Sequence, residues 1–269
     1  MSAADPGTLA RIEAGSEAVK EWTGYFRERF GAVESEWKED ASRVTEADRA
    51  ISEGILRRLS AKFPSDDLCC EETAGKEEVR LSGRFGWLLD PIDGTNNYAL
   101  GIPHCAISLA LLEEGVPVYG WVYDFAGNRL VQGGAGLGMR ADDRPIERVV
   151  PVSGDPNVPV GLQFPVGAGA LDRFRFLLRS RRVRSLGSST MEGLYVALGQ
   201  FEGAVDFRVR AWDIGAFVAF FRETGTPHRF LREAPFPLRT FSAHIPPCPY
   251  LAGTPEFCRT VEEAVQGLV

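Results

Sequence analysis

The chain has 269 residues, 44% hydrophobic and 25% charged, the balance of a soluble globular protein rather than a disordered one. Its net charge of −7 argues against a nucleic-acid polymer as partner. No stretch approaches the roughly 20 consecutive apolar residues of a membrane helix, so no membrane association is expected. The start, Met1 to Pro6, lacks a basic and then apolar signal segment, which leads us to expect a cytoplasmic location. Five cysteines without CxxC spacing fit neither a disulfide framework nor a zinc site. Cys69 and Cys70 read as small buried hydrophobes at a strand end.

Residues 8–30 predict an amphipathic helix, with Leu9, Ile12, Val19, Trp22, Phe26 and Phe30 near helical spacing. A second helix follows Arg43-Val44-Thr45, where Ile51, Ile55, Leu59 and Phe63 repeat until Pro64 stops it. The apolar run 85–90 reads as a buried strand, and 104–112 and 116–123 as two more joined at Glu113-Glu114-Gly115. Gly133, Gly134, Gly136 and Gly138 break up the next hairpin. A short strand is expected at Val183–Leu186 and a helix from Ser188 to Gly199. Val205, Phe207 and Val209 alternate with Asp206, Arg208 and Arg210, the pattern of a half-buried strand with all three polar residues on one face. Trp212-Asp213 opens an apolar helix, and Thr254-Pro255 starts the last one. Helices and strands are mixed, giving an α/β (α+β layered) fold. The Gly/Pro-richer stretch 145–170 divides the chain into halves, 1–145 and 146–269, of a single unit.

The chemistry concentrates in Trp87-Leu88-Leu89-Asp90-Pro91-Ile92-Asp93-Gly94-Thr95. Asp90 ends an apolar strand and Asp93 follows across a Pro-Ile step, so the two carboxylates converge if the chain turns there. Paired carboxylates repel and raise each other's pKa unless a cation lies between them. The Ile92 carbonyl is a third hard oxygen of the kind Mg²⁺ prefers. Gly94-Thr95-Asn96-Asn97 would present backbone amides to a phosphate if a helix starts there. A plain Asp-Gly turn explains Asp93-Gly94 but leaves Asp90 unaccounted for. Haloacid-dehalogenase-type phosphatases carry Asp-x-Asp-Gly-Thr; the spacing here is one residue longer and includes Pro91, which indicates a different geometry.

These residues and their order resemble the inositol monophosphatase family, within the Mg²⁺-dependent, Li⁺-sensitive sugar and nucleotide phosphatases. Val44-Thr45-Glu46-Ala47-Asp48, Glu71-Glu72, Trp87 to Tyr98, Arg184 to Ser189 and Trp212-Asp213-Ile214 match its segments in sequence. The resemblance implies an αβαβα sandwich and hydrolysis of a small phosphorylated polyol or sugar, without a covalent intermediate. It implies two to three Mg²⁺ ions held by Glu71, Asp90, the Ile92 carbonyl, Asp93 and Asp213. Thr95 and Asp48, with Glu71, would activate the attacking water. Asp93 and the Gly94 and Thr95 amides would hold the phosphate, and Ser188, Ser189 and Asp206 would lie near the rest of the substrate. Many members form homodimers.

Simpler readings exist for several of these residues. Thr45-x-x-Asp48 is also a capping box, Asp213 is also a helix N-terminal acid, and Lys38 is as readily a surface lysine as one near the metals. His104 reads as strand-start structure. Arg208 and Arg210 are open to a second phosphate, a partner or solvent. Phe217 stands where the family has a small residue, and Asp206 where it often has Glu, so the departures concern the substrate. Histidinol phosphate, fructose 1,6-bisphosphate and nucleotide 3′-phosphates are alternatives to inositol monophosphate. A catalytically silent binding relative would be expected to lack one of the acids or Thr95, and a nucleotide-binding module would need a glycine-rich loop.

Overall fold

Thr45 and Asp48 form the reciprocal cap that their spacing predicts, and the helix they start runs Glu46–Lys62. Ile51, Ile55 and Leu59 on one side of it are fully buried. The structure, a computed structural model, describes residues 5–37 and 43–268; Lys38 lies outside them. The first helix spans Pro6–Glu28; Val19 and Phe26 are buried on its inner face as expected, but its N-terminal part differs. Leu9 is exposed, while Ala14, Gly15 and Ala18 are buried. The small residues win the inner face because Trp121 fills the space there: a Cβ on Gly15 would lie 2.6 Å from its ring.

These two helices cover one face of a seven-stranded sheet. Its spatial order is Arg144–Pro145, Gly138–Ala141, Arg129–Gly134, Val116–Asp124, Ala106–Glu113, Phe85–Asp93 and Asp67–Cys70. All pairings are antiparallel except the last, between Asp67–Cys70 and Phe85–Asp93. Helices Ser189–Ala197 and Ala211–Thr224 lie on the other face. The first of these also packs on a second sheet, ordered Arg182–Arg184, Pro159–Leu162, Gly203–Asp206, Tyr250–Gly253 and His228–Phe230. Pro255–Val265 closes the outer face of that sheet, its N-terminus capped by Thr254 as expected. The result is five layers, helix–sheet–helix–sheet–helix, with an apolar cluster under each outer helix layer and a third that runs from one sheet through the middle helices to the other.

Strand Phe85–Asp93 is buried along its whole length and extends through the motif rather than ending at Asp90. Asp90 pairs with Ser108 and Asp93 with Ala106, so three steps on one strand face two on its neighbour. The extra residue makes a β-bulge at Pro91-Ile92. Side chains three apart on a regular strand face opposite ways; the bulge turns Asp93 toward the side of Asp90. The convergence therefore comes from an irregularity inside the strand.

The region after Gly203 also departs from expectation. The strand there is only Gly203–Asp206, and all four residues are buried. The alternation through Val209 has no strand beneath it, because the Asp206 carboxylate accepts the Arg208 amide at 2.8 Å and turns the chain. Phe217, the large residue at an expected small position, is accommodated by Gly193 on the adjacent helix: a Cβ there would lie 2.3 Å from the Phe217 ring. Phe217→Ala should destabilise the protein by about 3–5 kcal/mol, the usual range for emptying a buried Phe site. Combining it with Gly193→Met should recover part of that loss. A denaturant-melt double-mutant cycle checks this, and strict additivity would refute the pairing.

Candidate active site

Asp90, Asp93 and Asp213 arrive from two elements, the bulged strand and the first turn of helix Ala211–Thr224. One oxygen from each lies within 4.8 Å of the others. Asp90 and Asp93 are buried and Asp213 half-buried. Asp90 is anchored by the Ile92 amide at 3.0 Å, and Asp213 by the Arg210 amide at 2.7 Å. Asp93 accepts the Thr190 amide at 2.7 Å and the Ser188 hydroxyl. Burial pushes the carboxyls of Asp90 and Asp213 well up, and neighbouring acids, Glu71 and Asp93 among them, add to it. Burial also raises Asp93, to about 6, against the lowering effect of its Ser188 and Thr190 hydrogen bonds.

Such a cluster fits a hard divalent cation. Its donors are all oxygen, they converge, and without a cation their like charges oppose one another in a desolvated place. Glu71, in the turn Glu71–Thr73 after strand Asp67–Cys70, faces the same space.

Asp48 and Thr95 form a second group beside the first. The Thr95 hydroxyl lies 3.3 Å from Asp48 Oδ1 and 2.8 Å from the Ile92 carbonyl. The other Asp48 oxygen accepts the Thr45 hydroxyl at 2.5 Å and the Thr45 amide at 2.8 Å. One carboxylate thus serves the helix cap with Oδ2 and the site with Oδ1. Burial raises Asp48 to about 7, against the lowering effect of the Thr45 hydrogen bonds.

Gly94 opens the short helix Thr95–Ala99 with φ of 81°, a left-handed value open to glycine. Two adjoining cavities meet at this turn. One, of about 290 Å³, is lined by Asp90, Ile92, Trp212 and Asp213; the other, of about 460 Å³, by Trp37, Arg43, Gln163, Ser189 and Asp206. Glu71, Asp93, Gly94, Thr95 and Arg208 line both.

Two substrate-side expectations divide here. Ser189 lines the larger cavity and donates to Asp206 at 2.6 Å. Ser188 is buried, lines neither cavity, caps helix Ser189–Ala197 and donates to Asp93. Its place is beneath the site, because its hydroxyl is consumed by the cap and the carboxylate. Burial raises Asp206, offset by Ser189 and the Arg208 amide. His104 contributes its carbonyl, which accepts from Asn97; the same Asn97 amide group donates to Leu186 O and so ties the 184–189 segment to the motif. Burial pushes the thiols of Cys69 and Cys70 up to about 12, in line with inert core residues.

Sequence reasoning missed Trp37, Arg43, Gln163 and Phe164 in the cavity wall. Gln163 sits in the stretch read only as a seam, and its neighbours carry no motif. Only strand Pro159–Leu162, paired in parallel with Gly203–Asp206, brings it beside Asp206.

The raised carboxyls carry a consequence for the cation-free protein. A group with a raised folded pKa contributes stability below its unfolded value, near 4 for Asp, and loses it as pH climbs through the folded value. With Asp93 at about 6 and Asp48 at about 7, melting temperature in EDTA should fall as pH is raised from 5 to 8. Saturating Mg²⁺ should reverse most of that fall, because binding favours the ionised acids. Thermal melts at several pH values check this; an EDTA melt insensitive to pH would refute it.

The profile of the inositol monophosphatase family matches residues 4–266 of the chain. The chain is 32% identical to inositol-1-monophosphatase of Rhizobium meliloti, over 73% of this chain and 76% of that one. It is 29% identical to the Pasteurella multocida protein named Nus factor SuhB, over 80% of each. Its fold superposes with a TM-score of 0.80 on an IMPase/NADP phosphatase solved with Mg²⁺ and phosphate, at 22% identity and covering 97% of each chain. With the family matched over nearly the full length and the acidic cluster assembled, the chain belongs to the inositol monophosphatase family and is a phosphatase.

Proposed function

We propose that the protein is a Mg²⁺-dependent phosphomonoesterase acting on a small phosphorylated polyol or sugar, with inositol monophosphate as the reference substrate. The observation that carries this reading is the convergence of Asp90, Asp93 and Asp213 beside the Asp48–Thr95 pair at the junction of two cavities. In this reading Asp90, Asp93, Asp213, Glu71 and the Ile92 carbonyl would hold the two to three Mg²⁺ ions. Bound Mg²⁺ supplies Lewis acidity for the attacking water and for the leaving oxygen.

The chain's own residues do the rest. Attack on phosphorus releases a proton from water. The Thr95 hydroxyl takes it while passing its own to Asp48 Oδ1, 3.3 Å away. An acid raised to about 7 is poised for that exchange near neutral pH. The Gly94 and Thr95 amides hold the phosphoryl oxygens, and Asp93 is held in place by Ser188 and Thr190. Asp206 and Ser189 face the leaving group from the larger cavity. No side chain is needed as a covalent nucleophile, since water attacks directly. Histidinol phosphate, fructose 1,6-bisphosphate and nucleotide 3′-phosphates are the alternatives within this chemistry.

A phosphate-release screen over small phosphomonoesters, with and without Mg²⁺, tests the proposal. Release should require Mg²⁺ and should disappear in Asp93→Asn. Absence of release from every ester at saturating Mg²⁺, or full turnover by Asp93→Asn, would overturn it.

A further inference from the structure

Glu192, in the first turn of helix Ser189–Ala197, is fully buried and has no part in the reaction just described. Its Oε1 accepts the Leu186 amide at 3.0 Å, reaching back past the Ser188 cap to the chain before the helix. Its Oε2 has no hydrogen-bond partner among the described residues. A Cβ on Gly161 would lie 2.8 Å from that oxygen, so the missing side chain there makes room for the carboxyl. Burial pushes the Glu192 carboxyl well up against the lowering effect of the Leu186 bond, and the nearby Asp206 and Asp93 add to the rise.

An acid near a helix N-terminus is ordinarily a cap at the surface, where water shares the work of solvating it. Here the carboxyl has left water, and an unmatched buried oxygen costs free energy even on a neutral acid. What the buried bond fixes is the segment 186–189, and every residue of that segment is tied to the site. The Leu186 carbonyl accepts from Asn97 at 2.7 Å, the Gly187 amide donates to Gln163 at 3.2 Å, Ser188 donates to Asp93, and Ser189 donates to Asp206 at 2.6 Å. Gly187 turns the chain with φ of 71°, so the direction of the Leu186 peptide sets where Ser188 arrives. Asp93 takes both the Ser188 hydroxyl and the Thr190 amide from this turn. Partners that orient a metal-ligating carboxylate tune the affinity of its site.

We infer that Glu192 is a positioning residue: through the Leu186 amide it sets the turn that carries Ser188, and through Ser188 it fixes Asp93 for Mg²⁺. This rests on the phosphatase reading above and adds to it a determinant that lines neither cavity. The role needs an acceptor at the reach of a glutamate side chain and not a negative charge.

Mg²⁺ affinity, measured by calorimetry on the metal-free protein, separates reach from charge. Glu192→Gln keeps an oxygen at the same reach and should bind Mg²⁺ as the wild type does. Glu192→Asp keeps the acid but falls one methylene short of the Leu186 amide, and should bind about ten-fold more weakly, the low end for losing a contact that orients a ligand. In a Ser188→Ala background the same Glu192→Asp change should add little, because the two residues act in series. In phosphate-release assays the Mg²⁺ concentration for half-maximal rate should rise with the calorimetric loss, and kcat should recover at saturating Mg²⁺ by mass action. Unchanged Mg²⁺ affinity in Glu192→Asp, equal losses in Glu192→Asp and Glu192→Gln, or an undiminished effect in the Ser188→Ala background would overturn the inference and leave the phosphatase reading intact. A wild-type protein that neither binds Mg²⁺ nor releases phosphate from any ester would instead defeat that underlying reading.

Discussion

Asp90→Asn should lower Mg²⁺-dependent phosphate release by about 10³-fold or more, the scale of losing a main electrostatic element of a site. In EDTA at pH 8 the same variant should melt at a higher temperature than the wild type. Both effects have one cause. Asp90 is fully desolvated and faces Glu71, Asp93 and Asp213, so its ionised form is opposed by burial and by three like charges. Asparagine keeps the shape and an oxygen for the Ile92 amide, now at 3.0 Å from the carboxylate, but removes the charge. Function needs that charge to hold cations; the cation-free fold is better off without it. Opposite signs for activity and stability are characteristic of a binding site and not of a structural ion cluster. Phosphate-release assays and melts on the same preparation check it, and an Asn variant losing both would mark Asp90 as structural.

Thr95→Ala should reduce kcat by about 10²- to 10⁴-fold with little change in KM, as expected for removing a proton-transfer group. Thr95→Ser should retain most of the rate, because it keeps the hydroxyl between Asp48 and the Ile92 carbonyl. Asp48→Asn should lose rate to a similar degree, since a side-chain amide takes no proton at neutral pH. Its fold should survive, as an Asn oxygen still receives the Thr45 amide. If Thr95→Ala raised KM and spared kcat, the hydroxyl would be a substrate contact and not part of a relay.

Much of this was readable along the chain because the determinants are local. The capping box Thr45-x-x-Asp48 and the N-cap Thr254-Pro255 depend on residues within one helical turn, and both formed as expected. The apolar runs of the central sheet announce themselves, since a strand covered on both faces has no polar side to show. Where neighbours across the fold decide, local pattern failed. Leu9 has the right period but lost the inner face to Ala14 and Ala18, which let the helix approach Trp121. Val205 to Val209 alternate convincingly, yet the Asp206 side chain captures the Arg208 amide and ends the strand.

The acids of the site were legible by type and order, and Asp90-Pro-Ile-Asp93-Gly-Thr95 pointed to hard cations through its donors alone. What the sequence by itself determined is therefore the kind of chemistry: oxygen ligands, a hydroxyl beside a carboxylate, and the helices and strands that carry them. Only the tertiary structure decided how these meet. It placed a bulge at Pro91-Ile92 that turns Asp93 toward Asp90, and set Asp213 within 4.8 Å of both. It also moved Ser188 beneath the site, and drew Gln163, Arg43 and Arg208 around one cavity. The reason is physical. Backbone hydrogen bonding and side-chain period act over a few residues and leave a mark in the sequence. Convergence across layers depends on sheet register and on which side chains fill the space between, and neither is written in any short stretch of chain.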